Sequence, residues 1–305
     1  MKLAFVFSPQ GAQKKGMGKA LYAANETVRS TIDEADGYLS YDLKNVMFES
    51  DQALQSTKYA QMALFVLSCA IKRAMNKAGV FSSGSGGLSL GEYAALFDRD
   101  VFDFHTGVNL VEHRGHFMET AVQETRGRMV AVRSDLRTLK PIVEGTENLH
   151  IANYNLPNQF VVSGTKDAVD AFEASAKSQG IKRVHPLDTA GAFHTPLMNS
   201  AATSFQEYLH YVKINAPQGD FYSNTIAKKA THDLETLLVK QIINPVKFYP
   251  MIKAMIEDGY DTFVELGTGK TLTNFIKKID SSVATWHVED SETLENAIKE
   301  LKDHE

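Results

Sequence analysis

The sequence predicts an α/β protein in which a mostly parallel sheet is covered by helices. Short apolar segments alternate with helical stretches in the first and last parts of the chain, and such alternation favours parallel strands joined by helices. Between these parts, residues 127–188 show strand and helix patterns in the order βαββαβ. That order is typical of a ferredoxin-like unit, so we expect a small subdomain inserted into a larger one.

The first part of the chain opens on an apolar segment, Leu3 to Phe7. Its length and uniform apolarity predict a short strand buried on both faces. Residues 61–78 are apolar nearly all round, which is typical of a buried core helix. The helical stretches predicted in this part are 19–27, 29–39, 45–49, 61–78 and 103–122.

The stretch Gly87-Leu88-Ser89-Leu90-Gly91 fits G-x-S-x-G, the nucleophile elbow that holds a serine between a strand and a helix. Neighbours without Cβ atoms let the hydroxyl stand clear of a strained turn. A helix opening at Glu92 would point its free N–H groups at Ser89 and favour a negatively charged oxygen there. We expect Ser89 to be a nucleophile, although the same letters also fit a plain glycine- and serine-rich loop.

The segment before the elbow, residues 82–86, reads Ser-Ser-Gly-Ser-Gly. An elbow strand buried on both faces should be apolar and β-branched, and this segment is neither. Two explanations remain open: a neighbouring element packs too closely for larger residues, or the strand is weak.

Two further positions are candidates for function. Arg114 lies in a predicted helix beside Gly115, which would let another backbone or a ligand approach closely; a solvated surface arginine is the alternative. His194 comes where the chain returns from the inserted unit to the main body. His113 and His116 are three residues apart, but no third ligand completes a metal pattern, so no metal site is expected.

The remaining elements follow the same two patterns. The inserted unit is predicted to contain strands 128–133, 149–153, 159–163 and 181–187 and helices 135–144 and 166–179. The last part is predicted to contain helices 197–212, 234–243, 249–257 and 292–301 and strands 221–224, 261–266 and 283–288.

Composition excludes several classes of protein. The 305 residues carry 32 basic and 37 acidic side chains, so the net charge of −5 gives no basic field for nucleic acid or an anionic membrane. The one cysteine, Cys69, lies in an apolar run and cannot form an internal disulfide. The apolar run at residues 3–7 is too short for a signal peptide, and none approaches a membrane span. We expect a cytoplasmic protein.

Motifs along nearly the whole chain carry a family resemblance. They are Gln10-Gly11-Ala12-Gln13 with Gly16-Met17-Gly18, Gly87 to Tyr93, Arg114-Gly115 with Met118, Ile151-Ala152-Asn153-Tyr154-Asn155 with Val161-Val162-Ser163-Gly164, Phe193-His194 with Pro196-Leu197-Met198, and Gln241 with Pro245-Val246. Together they resemble the motifs of malonyl-CoA:acyl carrier protein transacylases, the acyltransferases of fatty-acid synthesis.

The resemblance implies a fold and a set of roles. The fold would be an α/β-hydrolase-like core, residues 1–121 and 192–305, with a ferredoxin-like subdomain inserted at residues 122–191. The resemblance implies that Ser89 is the nucleophile and that His194 is its general base and acid. The backbone N–H groups of Gln10 and Leu90 would form the oxyanion hole. Arg114 would pair with the malonyl carboxylate, and Gln241 would support His194.

Three more residues are expected at the substrate. Phe193 would limit the size of the acyl group beside His194. Asn153 and Asn155 would line the cleft between the subdomains, unless their side chains only fix the turn near Pro157.

The implied reaction is ping-pong. Malonyl would move from coenzyme A to Ser89 and then to the phosphopantetheine thiol of holo acyl carrier protein, with no cofactor beyond the coenzyme A thioester substrate. Arginine can hold the malonyl carboxylate through two parallel hydrogen bonds. Without that carboxylate, a buried guanidinium would be left unpaired. The resemblance implies a monomer.

Other functions stay open at this point. An acyltransferase of a polyketide or other carrier-protein pathway would share the same motifs. A serine hydrolase would share the elbow and place an acid between serine and histidine in chain order, where Asp188 lies. A non-catalytic binding homologue is suggested by departures from the family pattern at Ser8-Pro9, Ser83 to Gly86, Ala192 and Thr268.

Overall fold

The structure, a computed structural model, describes residues 1–181, 183–189 and 191–303. Its strands are β1 (Leu3–Phe7), β2 (Gly84–Gly87), β3 (Gly127–Arg133), β4 (Leu149–Leu156), β5 (Gln159–Thr165), β6 (Arg183–Pro186), β7 (Asp220–Ser223), β8 (Lys228–Lys229), β9 (Thr262–Leu266) and β10 (Ala284–Val288).

The α-helices are α1 (Lys19–Ala24), α2 (Glu26–Tyr38), α3 (Leu43–Phe48), α4 (Thr57–Lys77), α5 (Gly91–Asp98), α6 (Phe104–Thr125), α7 (Leu136–Glu144), α8 (Lys166–Ala176), α9 (Asn199–Leu209), α10 (Leu234–Ile243), α11 (Phe248–Glu257), α12 (Thr271–Ile279) and α13 (Ser291–Asp303). No helix in the described part of the chain is long and apolar enough to cross a membrane.

The larger sheet is mostly parallel, as predicted. Its strand order is β10-β9-β1-β2-β7-β8, and every pair is parallel except β7 with the two-residue strand β8. Strand β1 lies inside this sheet and is buried along its whole length. Phe5 and Phe7 join an apolar cluster with α4, α5 and α6, whereas Ala4 and Val6 join a second cluster with α11 and α12. Because successive side chains of β1 point to opposite faces of the sheet, helices pack against both faces.

The inserted unit is a separate antiparallel sheet with the predicted βαββαβ order. Its strands are arranged β4-β5-β3-β6, and it has its own apolar cluster beneath α7 and α8. Two backbone hydrogen bonds connect it to Val246 of the main body. Tyr154 N–H donates to the carbonyl oxygen of Val246 at 2.8 Å, and Val246 N–H donates to the carbonyl oxygen of Ala152 at 2.8 Å. This connection holds β4 against the segment that follows α10.

Several element boundaries differ from the prediction. The predicted helix 19–27 is broken at Asn25, whose side chain accepts the N–H of Val28 at 3.1 Å and caps α2. The predicted helix 197–212 begins with a 3₁₀ turn, Pro196–Met198, before α9. The predicted strand 181–187 includes Lys182, which lies outside the described residues. The predicted subdomain boundary at residue 122 lies within α6.

The small residues of β2 are explained by close packing, the first of the two alternatives. A Cβ atom at Gly84 would overlap the ring of Tyr260, and one at Gly87 would overlap the backbone of Gly91. The fully buried hydroxyl of Ser85 donates to Asp98, a carboxylate that also accepts from Arg99 at 2.6 Å. Strand β2 therefore has glycines where neighbouring groups pack closely, and a serine where it contacts the buried ion pair.

Gly91 and Gly37 provide a matched test of this packing. A Cβ at Gly91 would overlap the carbonyl oxygen of Phe7, whereas one at the exposed helical Gly37 would meet nothing. We expect Gly91→Ala to lower the free energy of unfolding by about 1–3 kcal/mol or more, and Gly37→Ala to raise it by about 0.5–1 kcal/mol. Chemical denaturation of both variants measures the difference, and an unchanged Gly91→Ala would show that the elbow has room to spare.

Candidate active site

Ser89 lies at the sharp turn between β2 and α5, where the sequence places the nucleophile elbow. Its φ of 54° is in the left-handed region, a conformation that costs a residue other than glycine on the order of 1–3 kcal/mol. The close contact of Gly91 with Phe7 holds the turn in this shape. The strain is thus maintained by backbone packing on both sides of the serine.

His194 lies directly against this hydroxyl. Its Nε2 is 2.8 Å from Ser89 Oγ, and its Nδ1 is 2.8 Å from the backbone carbonyl oxygen of Gln241. Because a carbonyl oxygen only accepts, Nδ1 carries the proton and Nε2 is free to accept from the serine. The group that orients His194 is therefore a main-chain oxygen. Asp188, the acid that a hydrolase triad would require, is exposed at the edge of the cleft.

The environment of His194 favours the neutral imidazole. The residue is 4% exposed, and burial lowers its pKa to about 4, assisted by the charge of Arg114 and opposed by the hydrogen bond to Gln241. A histidine that is neutral at pH 7 is ready to accept a proton. It can return that proton once it has been transferred.

Arg114 is a fully buried cation that contacts the same serine. Its side chain, on α6, donates from Nη1 to Gln61 Oε1 at 2.7 Å and from Nη2 to Gln241 Oε1 at 3.0 Å and Ser89 Oγ at 3.2 Å. Since a guanidinium only donates, the hydroxyl proton of Ser89 must point to His194. Burial lowers the pKa of Arg114.

The expectation that the guanidinium is unpaired without a substrate carboxylate is wrong. Both terminal nitrogens of Arg114 have neutral oxygen acceptors, and Nε has no hydrogen-bond partner among the described residues. The neighbouring Gly115 explains how the helix comes so near: its Cα faces the backbone of Lys58, and an added Cβ would lie 2.9 Å from Lys58 Cα. This close approach brings α4, with Gln61, against the arginine.

Sequence reasoning missed two polar residues of this site, Gln61 and Glu92. Gln61 is fully buried in the apolar helix α4 and donates from Nε2 to Gln10 Oε1 at 3.1 Å. Glu92 is 2% exposed on the first turn of α5, and its carboxylate accepts from Gln241 Nε2. A polar side chain within an otherwise apolar, buried helix is a signal that could have identified both.

The two backbone N–H groups predicted for an oxyanion hole have no acceptor among the described residues. These are the N–H of Gln10, in the loop after β1, and the N–H of Leu90, just before α5. Gln10 lines the cleft together with Ser89, and its side chain is fixed by Gln61. Both N–H groups are therefore available to donate to an oxygen atom of a bound molecule.

A cavity of about 430 Å³ opens between the two sheets at this point. The predicted residues Phe193, Asn153 and Asn155 line it with Ser89 and His194. Arg114, Leu90 and Gln241 are not among the lining residues. Asn155 is 7% exposed, and its Oδ1 has no hydrogen-bond partner among the described residues. A buried, unsatisfied oxygen beside a cleft is suited to accept a hydrogen bond from a bound molecule.

The departures from the family pattern lie outside the reacting groups. Ser8 Oγ donates to Glu265 Oε1 at 3.3 Å, and Thr268 packs against the sulfur of Met17. Ala192 is fully buried against Gly127. Each departure is accommodated by local packing.

A strained serine between a neutral histidine and a buried arginine is the geometry required for a serine nucleophile that acts on an acyl carbonyl. Comparison with known proteins agrees with this class. A model of the acyl transferase domain family matches residues 4–303. The chain therefore belongs to that family, which confirms the resemblance found in the motifs.

Individual relatives cover the whole chain. The chain is 37% identical to malonyl CoA-acyl carrier protein transacylase of Bacillus subtilis (strain 168), over 99% of this chain and 98% of the relative. The crystal structure of MCAT from Streptococcus pneumoniae has a TM-score of 0.94 at 36% identity, covering 98% of this chain and 100% of the other. A malonyl-transacylase solved with a type II PKS acyl-carrier protein has a TM-score of 0.93 at 32% identity, covering 98% and 100%.

The protonation state of His194 gives a direct test of the site. We expect its imidazole to stay neutral, with the proton on Nδ1, from pH 8 down to about pH 5, because its pKa is lowered to about 4. Below that pKa the protonated ring can no longer accept from Ser89, so a rate that depends on it should fall. ¹⁵N-histidine NMR, assigned with a His194→Ala variant, measures this, and titration near pH 6.5 would contradict the buried geometry.

Proposed function

We propose that the protein transfers a malonyl group from malonyl-CoA to the phosphopantetheine thiol of acyl carrier protein, through a malonyl ester on Ser89. One observation supports this above others: a single hydroxyl lies within hydrogen-bond distance of a general base, at 2.8 Å, and of a buried cation, at 3.2 Å. The base can activate the hydroxyl, and the cation can hold the free carboxylate of the acyl group. Family membership and the relatives' names support the same activity.

The first half-reaction follows from the hydrogen bonds. Ser89 gives its proton to His194 Nε2 while Oγ attacks the thioester carbonyl. The carbonyl oxygen becomes negative and accepts hydrogen bonds from the N–H groups of Gln10 and Leu90. When the tetrahedral intermediate collapses, the carbon–sulfur bond breaks, and the coenzyme A sulfur leaves with the proton held on Nε2.

The second half-reaction reverses these steps with a new thiol. His194 takes the proton of the phosphopantetheine thiol, and the sulfur attacks the ester carbonyl. The ester bond to Ser89 Oγ then breaks, and the serine oxygen recovers the proton. No redox change occurs, and we propose that no cofactor is needed beyond the coenzyme A thioester substrate.

We assign specificity to four residues around the acyl group and the pantetheine arm. Arg114 would exchange neutral acceptors for the malonyl carboxylate, gaining charge-assisted hydrogen bonds. Phe193, at the lining beside His194, would restrict branching at the α-carbon. Asn153 and Asn155 would bind the amide groups of the pantetheine arm, for which the unsatisfied Asn155 Oδ1 is an available acceptor.

We also propose the finer description of the fold. The elbow between β2 and α5 in a mostly parallel sheet supports an α/β-hydrolase-like core. The strand order β4-β5-β3-β6 supports a ferredoxin-like insertion. We propose a cytoplasmic monomer whose carrier-protein partner approaches the mouth of the cleft.

A polyketide pathway is the second candidate. It is supported by a similar chain that was solved with a type II PKS acyl-carrier protein. The chemistry at Ser89 would be the same in both pathways, so the choice lies in which carrier protein is accepted. Comparing transfer rates to fatty-acid and polyketide carrier proteins would separate the two.

The nucleophile is tested by intact-mass spectrometry. Brief exposure to malonyl-CoA should add one malonyl group to the wild-type chain and none to Ser89→Ala, because the attacking oxygen is gone. Asp188→Asn should still form the adduct, since the ring of His194 is hydrogen-bonded to Ser89 and Gln241 and not to Asp188. An adduct that persists on Ser89→Ala would refute the assignment.

Arg114→Ala tests the basis of malonyl selection. The variant should lose about 2–5 kcal/mol of transition-state stabilisation for malonyl transfer, on the scale of a truncated buried charge pair. Acetyl transfer should fall much less, because acetyl has no carboxylate to pair and loses only the contacts of Arg114 with Ser89 and Gln241. We would measure kcat/KM for malonyl-CoA and acetyl-CoA with both proteins. Equal losses for the two thioesters would make Arg114 structural.

A further inference from the structure

A buried carboxylate, Glu92, lies behind the site and takes part in none of the steps above. It follows Ser89 by three residues, on the first turn of α5. Its Oε2 accepts hydrogen bonds from Gln241 Nε2 and from Asn224 Nδ2, the latter at 2.9 Å. Asn224 also donates to the carbonyl oxygen of Gly87 at 2.9 Å. The carboxylate is therefore fixed to the elbow itself.

The side chain of Gln241 lies between Glu92 and Arg114. An ionised carboxylate only accepts hydrogen bonds and a guanidinium only donates them. The amide nitrogen of Gln241 faces Glu92 and the carbonyl oxygen of Ser89, and the amide oxygen faces Arg114. Rotating the Gln241 amide by about 180° would break all three hydrogen bonds. The carboxylate of Glu92 and the guanidinium of Arg114 therefore fix one orientation of the amide.

Burying the Glu92 carboxylate at this position costs free energy. Burial raises the pKa of its carboxyl to about 7, and a buried charge pair is often no more stabilising than apolar residues of the same size. An apolar side chain could fill the space without that cost. It could not accept from Gln241, and it could not provide the negative charge that favours the charged form of Arg114.

We propose that Glu92 is a positioning residue for acyl selection, which fixes the Gln241 amide so that Arg114 presents its guanidinium to the malonyl carboxylate. This inference rests on the proposed function. Glu92 acts through Gln241 and does not touch the substrate. The main-chain carbonyl of Gln241 still orients His194 when the side chain is disturbed, so selection should suffer more than acyl transfer itself.

Two substitutions separate the hydrogen bond from the charge. Glu92→Met keeps the length of the side chain and removes the acceptor, whereas Glu92→Gln keeps an acceptor oxygen and removes the charge. For Glu92→Met, kcat/KM for malonyl-CoA should fall by roughly 10- to 100-fold, by analogy with the loss of a group that hydrogen-bonds to a metal ligand. The fall for acetyl-CoA should be much smaller. Glu92→Gln should restore most of the malonyl preference.

A second buried carboxylate serves as the matched control. Glu265 is 1% exposed and accepts from Thr273 and Ser8, outside the contacts of Arg114. Glu265→Met should alter stability without changing the ratio of malonyl to acetyl kcat/KM. A ratio that falls equally in Glu265→Met and Glu92→Met would mean general loosening and would overturn the proposal.

Gln241 provides the remaining test. Because Glu92 acts through its amide, Gln241→Met should reproduce the selective loss, and adding Glu92→Met to it should cause little further loss of preference. If Glu92→Met fails to fold by circular dichroism, the same ratio is measured in Gln241→Met with and without Glu92→Gln. The second change should then have no effect on preference, and additive losses in either design would overturn the proposal.

The wild-type protein separates this inference from the proposed function. If malonyl-CoA leaves no adduct on wild-type Ser89, the proposed function fails. If the adduct forms and Glu92→Met keeps the full malonyl preference, the role of Glu92 alone is refuted.

Discussion

The site depends on one constraint, the complete burial of the Arg114 guanidinium. A buried cation must find acceptors or lose its charge, and here it finds neutral oxygens on three separate parts of the chain: Gln61 on α4, Gln241 on α10 and Ser89 at the elbow. These acceptors have further tasks. Gln61 fixes the side chain of Gln10, and the carbonyl of Gln241 orients His194. A single cation therefore connects the proposed nucleophile, the proposed base and the loop that contains Gln10.

The fold holds this arrangement under strain. Ser89 and His194 both have left-handed backbone conformations, with φ of 54° and 60°. Such conformations persist where the surroundings over-determine them. At the serine, the packing of Gly91 against β1 does this, and small residues along β2 let Tyr260 approach. At the histidine, the hydrogen bond from Nδ1 to Gln241 fixes the ring. Strained, tightly packed turns thus hold Ser89 and His194, and the inserted unit contributes residues to the lining of the cleft beside them.

Local sequence patterns were enough to predict much of this. The elbow at Ser89, the alternation of strands and helices and the βαββαβ order of the insertion are short-range signals, and the structure shows the sheet types they predict. The partners of Arg114 depend on long-range contacts. Gln61 and Arg114 are 53 residues apart and Arg114 and Gln241 are 127 apart, so local sequence patterns do not show that they contact one another. The small residues of β2 are likewise explained by a long-range contact, the packing of Tyr260 against Gly84.

In the proposed mechanism, a malonyl carboxylate competes with neutral oxygens for the donors of Arg114, because both terminal nitrogens already donate to such oxygens. We expect a malonyl carboxylate to take over these donors while the acyl carbon is bonded to Ser89. A crystal structure of the protein trapped as its malonyl ester tests this most directly. We expect the ester on Ser89 Oγ, with its carboxylate paired with Arg114 and its carbonyl oxygen directed to the N–H groups of Gln10 and Leu90. An ester whose carboxylate points into the open cleft, with Arg114 still bound to Gln61 and Gln241, would contradict it.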